Sequence, residues 1–131
     1  MNRFHLFALA SVVAVASTGC IVQTTSTQSN GSFELDWTIN GQVQSGLCTQ
    51  SASANISITI NRSSGGTVGT YTQACTAFAT YVDLAPGNYT FGAALVDSAG
   101  TARTTTATGT FTVYSNTRTT QAVDFPPSSF F

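Results

Sequence analysis

The 131-residue sequence predicts an all-β protein, a single antiparallel two-sheet sandwich of about seven strands. Three observations predict it. Large apolar residues recur at period two in a series of short runs, and turn-forming residues interrupt those runs at intervals of about 8–12 residues. Beyond residue 19, no stretch places apolar residues at helical spacing. Threonine and serine, with threonine the commoner, fill about a third of residues 20–131. The β-branched threonine suits a pleated strand, and its hydroxyl keeps an outer face wettable without charge.

The first strand is the plainest. Phe33, Leu35, Trp37 and Ile39 alternate with Glu34, Asp36 and Thr38, which sets four large apolar groups on one face and both carboxylates on the other. Asn40-Gly41 accepts positive φ and predicts a tight hairpin into a short strand over residues 42–45. Residues 46–53, which carry Cys48, read as a loop or crossover. Alternation returns over residues 54–61 with Ile56, Ile58 and Ile60 inward, and Ser63-Ser64-Gly65-Gly66 turns the chain. In the next strand, residues 67–73, the anchors Val68 and Tyr71 are out of phase, which a bulge at Gly69 would repair.

Residues 76–84 offer Phe78, then Tyr81 or Val82, then Leu84, again in imperfect phase. Ala85-Pro86-Gly87-Asn88 is a turn in which proline presets φ and Gly87 takes the left-handed position. Tyr89, Phe91, Ala93 and Leu95 alternate in the following strand, and Asp97-Ser98-Ala99-Gly100 turns again. Residues 104–110 have almost no apolar bulk and predict an edge strand or a break at Gly109, whereas residues 110–113 are a clear strand. A last strand runs through Val123 and Phe125 until Pro126-Pro127 stops the ladder. Phe130 and Phe131 follow as two exposed-looking aromatics.

The first 19 residues have a different character. Arg3 precedes residues 6–16, an uncharged run whose only hydroxyl is Ser11. A stable membrane-spanning helix needs about 20 residues, so this run fits the apolar part of an export signal. Ser17-Thr18-Gly19-Cys20 then resembles the lipobox cut by the lipoprotein signal peptidase, with Gly19 as the small residue before the cut and Cys20 at the modified position. Ser17 stands where leucine is commonest. The resemblance implies a thioether-linked diacylglycerol on Cys20, cleavage that leaves Cys20 as residue one, and anchorage in a lipid bilayer by several acyl chains. Ile21 rather than Asp follows, which in a Gram-negative cell implies the outer membrane. The other reading is an ordinary secretory signal cut near Ala16, which would leave Cys20 an exposed, reactive thiol.

The expected organisation is therefore a signal peptide over 1–19, a lipidated flexible tether over 20–31, the sandwich over 32–125 and a C-terminal tail over 126–131. Residues 20–131 hold Arg62, Arg103 and Arg118 against Glu34, Asp36, Asp83, Asp97 and Asp124, and contain no lysine or histidine. Three scattered arginines do not make the cationic cluster that phosphates require, so nucleic acid is excluded as a partner.

With Cys20 taken by lipid, Cys48 and Cys75 remain. An oxidising destination makes a disulfide their default, with free thiols or intermolecular pairing as the other readings. The absence of a Cys-x-x-Cys motif argues against redox work, and two thiolates without histidine leave a zinc site short of ligands.

Catalytic groups are scarce. The sole histidine, His5, is lost with the signal, and without His or Lys the many serines lack a base. Glu34 and Asp36 share a strand face about 6–7 Å apart, a spacing that superficially matches a sugar hydrolase but suits two solubilising carboxylates as well. Asp97 in its turn, with Asp83 approaching, is a candidate calcium site, against an ordinary turn aspartate. No enzyme activity and no cofactor are expected.

Residues 81–100, YVDLAPGNYTFGAALVDSAG, resemble a hairpin of bacterial immunoglobulin-like, fibronectin-like and carboxypeptidase-regulatory-like sandwiches. Leu84, Pro86-Gly87, Tyr89, Val96-Asp97 and Gly100 occupy the places of that motif. The resemblance implies an immunoglobulin-like or prealbumin-like topology. Trp37, however, precedes both bridging cysteines, whereas in immunoglobulin domains proper the tryptophan lies between them. Tyr89 is expected to pack with its hydroxyl bonded to backbone. With Trp37 and the cysteine pair, the chain resembles a family of exported lipoproteins. The expected function is a structural or protein-interaction module of the cell envelope, with an envelope protein as partner. The alternative is a small carbohydrate- or ligand-binding module, with Tyr71, Tyr81 or Tyr114 in a loop site.

Overall fold

Each alternating run becomes a strand, and the computed structural model, which describes residues 27–131, arranges seven of them in two sheets. The elements are β1 (Gly31–Ile39), α1 (Ser45–Gln50), β2 (Asn55–Arg62), β3 (Thr67–Ala74), β4 (Ala79–Leu84), β5 (Gly87–Val96), β6 (Ala107–Val113) and β7 (Arg118–Phe125). Single 3-10 turns cover Cys75–Ala77 and Pro127–Ser129. One sheet has the order β4-β1-β7 and the other β3-β2-β5-β6.

The pairing is not wholly antiparallel. β1 runs parallel to β7, with Ser32 opposite Arg118 and Ile39 opposite Phe125. Successive strands reverse direction, so the first and seventh must point the same way when the fold makes them neighbours. The other strand pairs, which join an odd strand to an even one, are antiparallel.

The core lies between the sheets. Every second residue of β1 is buried, from Phe33 and Leu35 to Trp37 and Ile39, and they meet Ile56, Ile58 and Ile60 of β2 and Tyr89, Phe91 and Leu95 of β5. The Phe33 ring stacks on Phe111 of β6 across the interface, with centroids 3.8 Å apart and planes at 11°. Tyr89 stacks on the same ring at 5.4 Å, so aromatic packing joins the sheets at the Gly31 end. The Tyr89 hydroxyl donates to the Ala85 carbonyl at 2.6 Å, the backbone role its sequence position suggested.

Local departures from the sequence pattern have physical causes. Asn40 and Gly41 adopt φ of 51° and 69° and make the expected tight turn, but the strand beyond it shrinks to one bridge, Ile39 to Gln42, before α1 begins. The bulge in β3 falls opposite Ile60/Asn61: Gly69 pairs Ile60, Thr67 pairs Asn61, and Val68 is the extra residue. The phase break before β4 is Phe78, which sits at φ 56° after the 3-10 turn, so that Val82 and Leu84 point inward and Tyr81 outward. Gly87 has the expected positive φ, 157°, but takes it at the start of β5 instead of inside a tight turn. Gly109 causes no break. It lies within β6 because a Cβ there would come 2.5 Å from the Phe91 ring. β6 is the expected edge strand, and residues 104–106 precede it.

Candidate functional site

The two ends of the sandwich are built differently. At the Gly31 end, β1 begins beside the β4–β5 and β6–β7 turns. At the opposite end, α1, the cysteines, the β5–β6 connection and the last residues of the chain converge. Residues 46–53, expected as a loop or crossover, instead carry most of α1, since a six-residue helix needs no amphipathic period when a covalent bond holds it.

Cys48 is the buried residue of α1, and it is bonded to Cys75 with an S–S distance of 2.04 Å and a Cα–Cα distance of 6.0 Å. Ser51 finishes the helix, its hydroxyl donating to the Leu47 carbonyl at 2.8 Å, and Ala52 at φ 54° turns the chain out. Trp37 Nε1–H donates to the Cys75 carbonyl at 2.9 Å, fixing the bridge to β1.

The C-terminal residues dock instead of trailing free. Thr105 N–H donates to the Ser129 carbonyl at 2.8 Å and Phe131 N–H to the Arg103 carbonyl at 3.3 Å, while Thr104 and Phe130 form a bridge. Thr104 is buried, and its hydroxyl accepts from Leu95 N–H at 3.0 Å. Phe130 packs against the core, so of the two terminal aromatics only Phe131 is exposed.

A groove of about 420 Å³ opens where these parts meet. Leu47, Gln50 and Ser51 of α1 form one wall, and Pro127, Phe130 and Phe131 form another. Ile39 and Asn40 contribute from the end of β1, and Arg103 is the only formally charged side chain in the lining. Arg103 Nε is shut off from solvent and has no hydrogen-bond partner. The Arg118–Glu34 contact at 3.4 Å is the only ion pair among the described residues, so Arg103 is in none. Composition counted Arg103 as one more scattered cation. Its setting arises from tertiary docking of the tail and α1, for which the local sequence carries no signal.

The remaining sequence candidates do not converge. Cys20 lies outside the described residues. Asp83 is on β4 and Asp97 follows β5, whose ten residues separate the two carboxylates by roughly 30 Å. Asp97 Oδ1 instead accepts from Ala99 and Thr101 N–H, both at 2.9 Å, closing its own turn. Among the described residues, no group of three His, Cys, Asp or Glu side chains is placed to hold a metal.

Glu34 and Asp36 share the outer face of β1. Partial burial, and then the like charge of Glu34, push the Asp36 carboxyl above the ordinary carboxylate range. Glu34 is paired with Arg118, whose guanidinium also lies 4.8 Å from the centre of the exposed Tyr81 ring. Tyr71 is on β3 of the other sheet and Tyr114 follows β6, so the tyrosines do not form one platform.

No family model and no curated protein sequence matches this chain. Solved structures do. It is similar to part of the Bacillus anthracis TIE protein, at 16% identity and a TM-score of 0.53, over 75% of this chain and 17% of that one. It is also similar to part of a leucine-rich repeat protein from Bacteroides thetaiotaomicron, at 17% identity and a TM-score of 0.48, over 74% of this chain and 12% of that one. The chain thus spans less than a fifth of either protein, and at such identities the likeness is one of fold alone. Among the described residues, no helix is long and apolar enough to cross a membrane.

Proposed function

We propose that this chain is a lipid-anchored lipoprotein of the bacterial cell envelope, its sandwich serving as a structural or protein-interaction module. The observation that carries the reading is Ser17-Thr18-Gly19-Cys20 at the end of an uncharged run. Acyl chains on Cys20 would hold the protein at a bilayer, the outer membrane in a Gram-negative cell. Gly31, where the chain enters the sandwich, is eleven residues beyond Cys20. The anchor would then pull on the Gly31 end and leave the α1 end roughly 27 Å further out, the length of β1. That orientation presents the end with the groove to partners.

The finer topology we read as prealbumin-like, in keeping with the carboxypeptidase-regulatory-like resemblance. In immunoglobulin sandwiches the first strand lies beside the second. Here it lies between the fourth and the seventh.

The groove favours a second reading, a small ligand-binding module. Its volume falls within the roughly 300–1,000 Å³ usual for small-molecule sites. A carbohydrate platform is less supported, because the three tyrosines lie on different parts of the surface.

The test is mild crosslinking in intact membranes followed by detergent extraction. The proposal expects a discrete product joining this chain to an envelope protein. Recovery of the protein alone, together with tight retention on a glycan array, would overturn it in favour of carbohydrate binding.

A further inference from the structure

We infer that the free edge of β3 pairs antiparallel with the β3 of a second copy of this chain, about a two-fold axis at Thr72. The pairing rests on backbone geometry and not on the lipid anchor. Ser63 N–H, one residue past β2, donates to the Asn88 carbonyl at 3.0 Å, so the odd-numbered residues of β2 turn their backbone groups toward β5. The even-numbered Ile56, Ile58 and Ile60 then face β3, where they oppose Gln73, Tyr71 and Gly69. That leaves Thr70, Thr72 and Ala74 with N–H and C=O groups aimed out of the sheet, and among the described residues no strand lies beyond them.

The other edges are guarded. Thr119 of β7 donates its hydroxyl to the Thr112 carbonyl of β6 at 2.8 Å, which ties those two edges together. β7 also carries Arg118 and Asp124, and β4 carries Asp83. β3 has eight residues, and none of them is charged, proline or buried. An edge of that kind is a template for another strand.

The side chains favour a second copy as the occupant. With Thr72 opposite itself, Thr70 opposes Ala74 and Ala74 opposes Thr70, so the outward backbone groups of all three residues are satisfied in hydrogen-bonded pairs. On the outer face threonine meets threonine, as Thr59 and Thr70 already do within one chain at 3.2 Å between hydroxyls. On the inner face the half-buried Tyr71 comes to lie beside Gln73 of the second copy. No like charges are opposed, because Glu34, Asp36, Asp83 and Asp124 all belong to the other sheet. The Val68 bulge and the 3-10 turn from Cys75 bound the ladder, and a two-fold contact closes on itself, so pairing stops at two copies. Antiparallel pairing also points the two Gly31 ends in opposite directions. It therefore converts the upright copy proposed above into a dimer lying along the bilayer, with an anchor at each end.

The experiment uses the full chain extracted in detergent. Sedimentation equilibrium in density-matched solvent should show one chain passing to two, with a midpoint on the order of 10–100 µM for so small an interface. Thr72→Lys, which sets two like charges at the axis, should raise that midpoint about five- to tenfold and leave urea unfolding unchanged, because Thr72 is exposed. Paired Thr72 Cα atoms should lie about 5.5 Å apart, within the reach of a disulfide. Mild oxidation of Thr72→Cys should then give a reducible dimer at least about tenfold faster than oxidation of Thr108→Cys, an exposed position on β6 of the same sheet. The unaltered protein, oxidised in parallel, reports any dimer formed through Cys20. A single-chain mass up to about 1 mM would overturn the inference, since contacts weaker than that lie below specific association, as would equal oxidation rates at the two positions. Thr72→Cys that joins another protein in intact membranes, and not its own copy, would also overturn it and would put a partner's strand on this edge.

Discussion

Replacing both Cys48 and Cys75 by alanine should remove a large part of the domain's stability. The bridge spans 27 residues of sequence. In the loop-entropy account, freeing a loop of that length restores about 12 cal/mol/K to the unfolded chain, or about 3.5 kcal/mol at room temperature. Both cysteines are buried, so the vacated sulfur positions would add a cavity cost on the order of 1 kcal/mol. Domains of this kind have about 5–15 kcal/mol in all, so the variant should remain folded but close to marginal. Its melting temperature should drop by roughly 15–25 °C.

Urea unfolding followed by the fluorescence of Trp37, the only tryptophan, is the direct assay, since its indole bonds to the Cys75 carbonyl. The slope of the transition should also rise, because an unbridged unfolded chain exposes more surface. Amides of α1 should lose exchange protection before those of β2 and β5, since Cys48 is the buried residue of that helix. A loss below about 1 kcal/mol with an unchanged slope would refute the reasoning, for it would mean that the bridge constrains little of the unfolded ensemble.

Three further outcomes are expected. Gly31→Ala should cost at least about 2–3 kcal/mol in urea unfolding, because a Cβ there would run into the Tyr114 carbonyl, Val113 Cγ1 and the Thr117 carbonyl, mostly backbone that cannot yield. Tyr89→Phe should cost about 1 kcal/mol in urea unfolding, the worth of its hydrogen bond to Ala85. Asp36→Asn should stabilise the protein at pH 7. The folded state raises the Asp36 pKa and so binds its proton more tightly than the unfolded state does. Wild-type stability is therefore lost as pH climbs from the ordinary carboxylate range through the raised value, and melting curves of the two proteins should converge as pH falls below that range.

What the sequence revealed depended on how locally each feature is determined. β1 and β5 were legible because unbroken alternation with a buried face admits one register. The Asn40-Gly41 turn was legible because two adjacent residues alone accept its dihedrals. β3 and β4 blurred where a bulge and a left-handed Phe78 shift the phase, conformations imposed by the neighbouring strands. The disulfide followed from counting cysteines once Cys20 was assigned to lipid.

The parallel β1–β7 pair joins residues 86 positions apart, and no local pattern reports on such a partnership. α1 was hidden for another reason: six residues with one buried side chain have no period to detect, and a bond to Cys75 holds them. The groove combines both difficulties. Arg103, Leu47 and Phe130 are far apart in sequence, and each looks ordinary in its own segment. The alternation of β1 placed Glu34 and Asp36 on its outer face, but the partner of Glu34, Arg118 on β7, was not legible for the same reason as the strand pair that carries it.

The central claim, a lipid-held thiol at the processed amino end of a disulfide-braced sandwich, is tested by the intact mass of the protein extracted from membranes, taken with and without reductant under denaturing conditions. The account predicts the mass of residues 20–131 plus a diacylglycerol and any further acyl group, rising by two hydrogen atoms on reduction. A mass equal to the unmodified chain cut near Ala16, or to the full 131 residues without lipid, would contradict it.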